Sequence, residues 1–150
     1  KFASVQKNFT WKLILNFRDT SSRVIVVKVS HDSSDEEVLR VCEILSNISK
    51  TVINVGNSKY IKANTVGLTS KNFSKEGGGL SGKSLYNNTL KTVKMISSKY
   101  DIPIIATGGV SSYENVNELL KNGASLTGMA TLLVSDPFQI PLINYRLSND

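Results

Sequence analysis

Cysteine and histidine are nearly missing from this chain of 150 residues, which has one of each. Cys42 alone can close no internal disulfide and build no cysteine-based metal site. Its place inside a helical pattern reads as a small core hydrophobe. Long apolar runs are lacking as well. No stretch approaches the roughly 18 residues that span a bilayer, and the opening residues hold no secretory apolar segment, so any membrane contact is expected to come from elsewhere. Aromatic residues are 7% of the chain and do not interleave with its scattered lysines, which argues against nucleic acid as a partner despite a net charge of +6. Acidic residues are scarce at the start, where Asp19 alone opposes Lys1, Lys7, Lys12, Arg18, Arg23 and Lys28. Glycine is absent before Gly56 and after Gly128; all ten lie between, concentrating turn chemistry there.

What is present suits one globular segment, residues 1–150, with 40% hydrophobic residues and enough length for a sizeable core. Apolar residues at loose helical spacing predict an amphipathic helix over 2–17. A loop over 18–22 and a strand over 23–29 follow, and Lys28 is then a charge near the strand's C-terminal end. Ser33 with Glu36, or Ser34 with Glu37, can form a capping box. Val38, Val41, Cys42, Leu45 and Ile48 make the buried stripe of the helix it opens. His31, just before that cap, reads as a polar loop residue. Gly56 closes the connection to a second strand over 60–66, in which Lys62 sits badly for a fully buried strand and Asn64 and Thr65 fall at the end.

Glu76 to Ser84 follows a polar loop and places four glycines in six residues, so bare amides can approach a flat ring or a phosphate. Gly77 and Gly82-Lys83-Ser84 formally fit a Walker A spacing. No strand runs into Gly77, so a P-loop is rejected. A helix carrying Leu90, Val93 and Ile96 leads to Ile102-Pro103-Ile104-Ile105, a charge-free strand ending in Gly108-Gly109. Ser111 with Glu114 predicts the cap of the next helix, which buries Val116, Leu119 and Leu120 and stops at Asn122-Gly123. A short strand of small residues over 124–131 and a last helix entered through Asp136-Pro137 complete the chain. Pro141 argues that this last helix begins later, carrying Leu142, Ile143 and Leu147.

Four β units, each followed by a helix, predict an α/β fold with parallel strands and right-handed crossovers. Four units are half of a (β/α)8 barrel, and half a barrel has two open sheet edges that need partners. A strand, a diglycine turn and the free amides of a helix start together favour a phosphate.

Five segments in this order and spacing resemble the C-terminal half of a dihydroorotate dehydrogenase, nearest to the membrane-associated, quinone-using class. They are Val27-Lys28-Val29-Ser30-His31-Asp32, Ala63-Asn64-Thr65, Gly78-Gly79-Leu80-Ser81-Gly82-Lys83-Ser84-Leu85, residues 102–112 and Gly123-Ala124-Ser125-Leu126. The resemblance implies a TIM barrel holding FMN at the C-terminal ends of its strands and oxidising dihydroorotate to orotate in pyrimidine synthesis, at a mitochondrial membrane. It implies Lys28 at the flavin, Asn64 and Thr65 at orotate with Thr65 also near the cofactor, and Ser81 and Gly82 against the flavin. Gly108, Gly109 and Thr131 would grip the phosphate.

This chain departs from the family's usual residue at His31 (proline), Lys62 (aliphatic), Ala63 (threonine) and Ala130 (tyrosine). The base serine of the quinone class belongs to the barrel's other half, so no catalytic residue is assigned here. The partners implied are dihydroorotate, a quinone, and the other half-barrel or another chain over the open edges. The competing expectation is a non-catalytic barrel serving as a structural subunit of a larger mitochondrial assembly. Another flavin- or phosphate-binding half barrel is a third.

Overall fold

A computed structural model describes residues 12, 14–20, 22–69 and 74–149. The expected first helix lies mostly outside these residues. Helix is seen over 14–20, so it runs into the stretch expected to be loop. In chain order there follow β1 (Ile25–Val29), α1 (Asp35–Leu45), β2 (Thr51–Val55), β3 (Lys59–Lys62) and a 3-10 turn (Ala63–Val66). Next come β4 (Gly77–Leu80), a 3-10 turn (Lys83–Leu85), α2 (Tyr86–Ser97), β5 (Ile104–Thr107) and α3 (Tyr113–Lys121). The chain continues through β6 (Leu126–Gly128), α4 (Ala130–Ser135) and α5 (Gln139–Leu147).

Four strands form one parallel sheet in the order β1-β2-β5-β6, and β3 and β4 form a separate antiparallel hairpin. The four-strand expectation therefore holds, but its second member is corrected. Thr51–Val55, expected to be connection, is the strand that joins β1 to β5. Of residues 60–66, only the first three are extended, and they pair with the glycine stretch 77–80 rather than with the main sheet. Ile53 and Val55 are fully enclosed, whereas Tyr60 is 57% exposed. A strand covered on both faces has to bury its side chains, and 60–66 does not.

Alternation along the strands sorts two faces. Val29, Ile53, Val55, Ile104 and Ala106 point toward the helices and meet Val38, Cys42 and Leu45 of α1, Val93 and Ile96 of α2, and Val116 and Leu119 of α3 in one core. The register puts Val26, Lys28, Val52, Asn54, Ile105, Thr107, Leu126 and Gly128 on the other face. In a closed barrel that face is the interior.

The helix ends follow local chemistry, with three corrections. Ser34 and Glu37 make the capping box of α1 in both directions, at 3.2 Å each. The cap of α3 is Ser112, which accepts from the Asn115 amide, and not Ser111. The stretch 124–131 is strand only over Leu126–Gly128, because helix α4 begins at Ala130. Asp136 and Pro137 form a turn ahead of α5, and Pro141 falls in the first turn of that helix, where no backbone donor is missed. Among the described residues no helix is long and apolar enough to cross a membrane.

Candidate functional site

The C-terminal ends of the four parallel strands meet at a cavity of about 120 Å³. Strand β1 contributes Lys28, the loop after β2 contributes Asn57 and Ser58, and the end of β5 contributes Thr107, Gly108, Gly109 and Val110. Gly128, Ala130 and Thr131 come from the end of β6 and the start of α4, and Ser81, Gly82 and Leu85 from the loop between the hairpin and α2. Parallel α/β sheets place ligands at this end of their strands. A second cavity of about 370 Å³ shares Gly82, Gly109, Val110 and Thr131 with the first and adds Lys83, Ser111, Ser135, Asp136 and Gln139. The two lie side by side along these shared residues and are together called the trough. Below it on the inner face, Thr107 Oγ1 donates to Asn54 Oδ1 at 3.0 Å.

The diglycine turn forms the trough's back wall. Gly108 has φ 120° and Gly109 φ 76°, both in the region that disfavours a side chain. A Cβ on Gly108 would run into the His31 ring, and one on Gly109 into the backbone of Leu85 and Tyr86. The turn is thus pressed onto the start of α2 from behind, while its front lines the cavity.

His31 lies in the loop after β1, as expected, but it is enclosed at 8% exposure. Burial pushes its pKa below the ordinary histidine value; nearby Asp32 opposes this and Lys59 adds to it. Nothing in the sequence distinguishes a solvated loop histidine from this one, since its cover comes from α2 and the β5 turn.

Six of the residues named from sequence, Lys28, Ser81, Gly82, Gly108, Gly109 and Thr131, are brought together at the trough. Asn64 and Thr65 are not. Both are exposed; Thr65 Oγ1 closes its own turn by donating to the Lys62 carbonyl at 2.6 Å. Asn64 borders a different cavity with Tyr60, Lys62 and Glu76. The asparagine that does stand at a strand end beside Lys28 is Asn57, with Ser58 next to it. It was legible as a strand running into Gly56-Asn57, once 51–55 is taken as the strand.

The lining fits a phosphorylated flavin: a lysine, hydroxyls from Ser58, Ser81 and Thr131, and backbone at Gly82, Gly108 and Gly109 that carries no side chain to obstruct a close approach. Among the described residues no group of three or more His, Cys, Asp or Glu is placed to hold a metal ion.

Parallel strands backed by helices, with a trough across their C-terminal ends, define this chain as part of an α/β barrel. The model of the dihydroorotate dehydrogenase family matches residues 2–149, and the chain belongs to that family. It is 32% identical over 129 residues to the mitochondrial quinone-type dihydroorotate dehydrogenase of Schizosaccharomyces pombe, an alignment covering 84% of this chain and 28% of the relative. With the quinone-type enzyme of Vibrio cholerae it shares 33% identity over 105 residues, 68% of this chain and 30% of that one. A crystal structure of the Eimeria tenella dihydroorotate dehydrogenase in complex with ferulenol superposes with a TM-score of 0.62 at 24% identity. It covers 74% of this chain and 29% of that one, a likeness of fold. The chain thus spans under a third of the length of these relatives.

Proposed function

We propose that this chain forms the cofactor-holding part of a dihydroorotate dehydrogenase, which oxidises dihydroorotate to orotate with FMN in pyrimidine biosynthesis. The observation that carries this reading is the convergence of Lys28, Ser81, Gly82, Gly108, Gly109 and Thr131, from four separate parts of the sequence, on one trough at the strand ends. The remaining strands and the catalytic base belong to the other half of the barrel, and residues 1–150 act as one segment of that domain. The quinone-type relatives support a quinone as electron acceptor, and the S. pombe relative supports a mitochondrial location.

FMN, when bound, supplies the hydride acceptor. Gly109, Gly82 and Thr131 would hold its phosphate, and the Lys28 ammonium would oppose negative charge on the reduced ring. Asn57 offers a donor and an acceptor side by side for a planar amide-bearing substrate. Asn64 borders a different cavity and Thr65 closes its own turn, so neither is given that task.

Purified full-length protein is expected to show a flavin absorption spectrum that bleaches with dihydroorotate and recovers with a quinone. Lys28→Met should lower turnover more than flavin content. A colourless protein that takes up no added FMN overturns the enzymatic reading and leaves the structural-subunit one.

A further inference from the structure

We propose that His31 is the positioning residue of the diglycine turn: with Asn88 and Thr89 it forms a one-way hydrogen-bond relay that orients the Gly108-Gly109 peptide and aims the Gly109 amide into the trough. Only the affinity measurement below rests on the flavin reading above.

The relay can be followed atom by atom. Asn88 Nδ2 lies 2.8 Å from His31 Nδ1. An amide NH2 can only donate, so Nδ1 accepts and the proton of the neutral ring sits on Nε2. That nitrogen faces Thr89 Oγ1 at 3.4 Å, and the Thr107 carbonyl beside it shares the same proton. The Thr89 hydroxyl is fully buried and has one proton; its shortest acceptor is the Gly108 carbonyl at 2.8 Å, ahead of the Leu85 carbonyl at 3.2 Å and that of Thr107 at 3.4 Å. A planar trans peptide carries its C=O and the next N–H on opposite sides. Holding the Gly108 oxygen against α2 therefore turns the Gly109 N–H away from α2, and Gly109 lines both cavities.

The groups around the ring are consistent with a neutral histidine in this role. Its own loop supplies Asp32, whose carboxylate accepts from the Tyr60 amide at 3.1 and 3.2 Å. Strand β3 supplies Lys59, helix α2 the neutral Asn88 and Thr89, and the β5 turn the Thr107 carbonyl. The opposite ring tautomer would require the Asn88 amide reversed. The threonine proton would then be drawn to Nε2, and the Gly108 carbonyl would be released.

The ring tautomer is therefore the decisive quantity. In full-length protein labelled with 15N-histidine, the His31 signals are those that vanish in His31→Gln. The proposal expects the neutral Nε2–H form; an Nδ1–H form overturns it. A second arm uses two variants. His31→Gln can accept from Asn88 and donate to Thr89, and should leave the FMN dissociation constant and the Gly109 amide shift nearly unchanged. His31→Leu fills the space but can do neither. It should move the Gly109 amide shift in flavin-free protein and weaken FMN by about tenfold, the ratio that one net hydrogen bond corresponds to. A leucine variant with an unmoved Gly109 amide and unaltered affinity overturns the relay. If the protein binds no FMN at all, the flavin reading fails, while the tautomer and the Gly109 amide still decide this proposal. They also decide it if the leucine variant does not fold, because the tautomer is read on the unaltered protein.

Discussion

Gly67 and Gly109 adopt nearly the same backbone angle, φ 75° and 76°, yet a Cβ on Gly67 meets nothing within 4 Å while one on Gly109 meets the start of α2. The pair separates conformational strain from steric demand. Gly67→Ala should cost about 1 kcal/mol, the left-handed penalty alone. Gly109→Ala should cost clearly more, about 3 kcal/mol, because backbone must also move. Urea unfolding of both variants checks this, and equal losses would contradict the packing described. At His31 the folded state favours the neutral ring, so its pKa lies below the unfolded value of 6.5. The resulting stability is fully present above that value and is lost as pH falls through the folded pKa. Stability measured from pH 7.5 to 5 should fall in the native protein and fall less steeply in His31→Gln. Cys42 is enclosed and its thiol is pushed up to about 11. It should resist thiol reagents at pH 8 until denaturant is added; rapid labelling of folded protein would contradict its burial. Its role as a core hydrophobe was readable from spacing alone. The enclosure of His31 was not, since the residues covering it lie 57 and 58 positions away.

Helix starts show how far local chemistry reaches. The Ser34 and Glu37 box was readable because both halves lie within one turn. At α3 only Ser111 has a glutamate three residues on, yet Ser112 is the cap, accepting from the Asn115 backbone N–H. Ser34→Ala and Ser112→Ala should each cost about 1 kcal/mol, and Ser111→Ala distinctly less, by thermal or chemical unfolding. A larger loss at Ser111 would restore the original pairing with Glu114. Strand β2 was hidden for a different reason. Thr-Val-Ile-Asn-Val is short and carries a polar residue on each face. Thr51 is nevertheless buried, because its hydroxyl donates to the Leu45 and Ile48 carbonyls at the end of α1. Asn54 is paired with Thr107. The Thr51 partners lie in the helix end and turn just before it, but the Asn54 partner is 53 residues away, so how that polar side chain is satisfied could not be read from the strand's own residues. With that strand unrecognised, attention fell on Asn64, which borders a different cavity, and Asn57 at the strand-end cavity went unnamed.

As a whole, the chain builds four parallel strands whose outer edges, on β1 and β6, pair with no other described strand. The inner face leaves Val26 51% and Leu126 62% exposed, and the α4–α5 side leaves Val134 86% and Phe138 80% exposed. Apolar side chains left this exposed favour association where they lie together. The order of β and α units made the parallel α/β architecture legible, whereas the exposure of these side chains could not be read from it. Residues 1–150 produced alone should therefore self-associate with rising concentration in light scattering, whereas full-length protein should stay monodisperse. A monodisperse isolated segment would show that these faces need no cover.

The proposed flavin site is the trough at the strand ends. A crystal structure of the full-length protein with FMN measures this most directly. It should place the phosphate against the Gly109 amide, Gly82 and Thr131, and the ring beside Lys28 and Asn57. Flavin bound elsewhere, or a trough filled by the protein's own side chains, would contradict it.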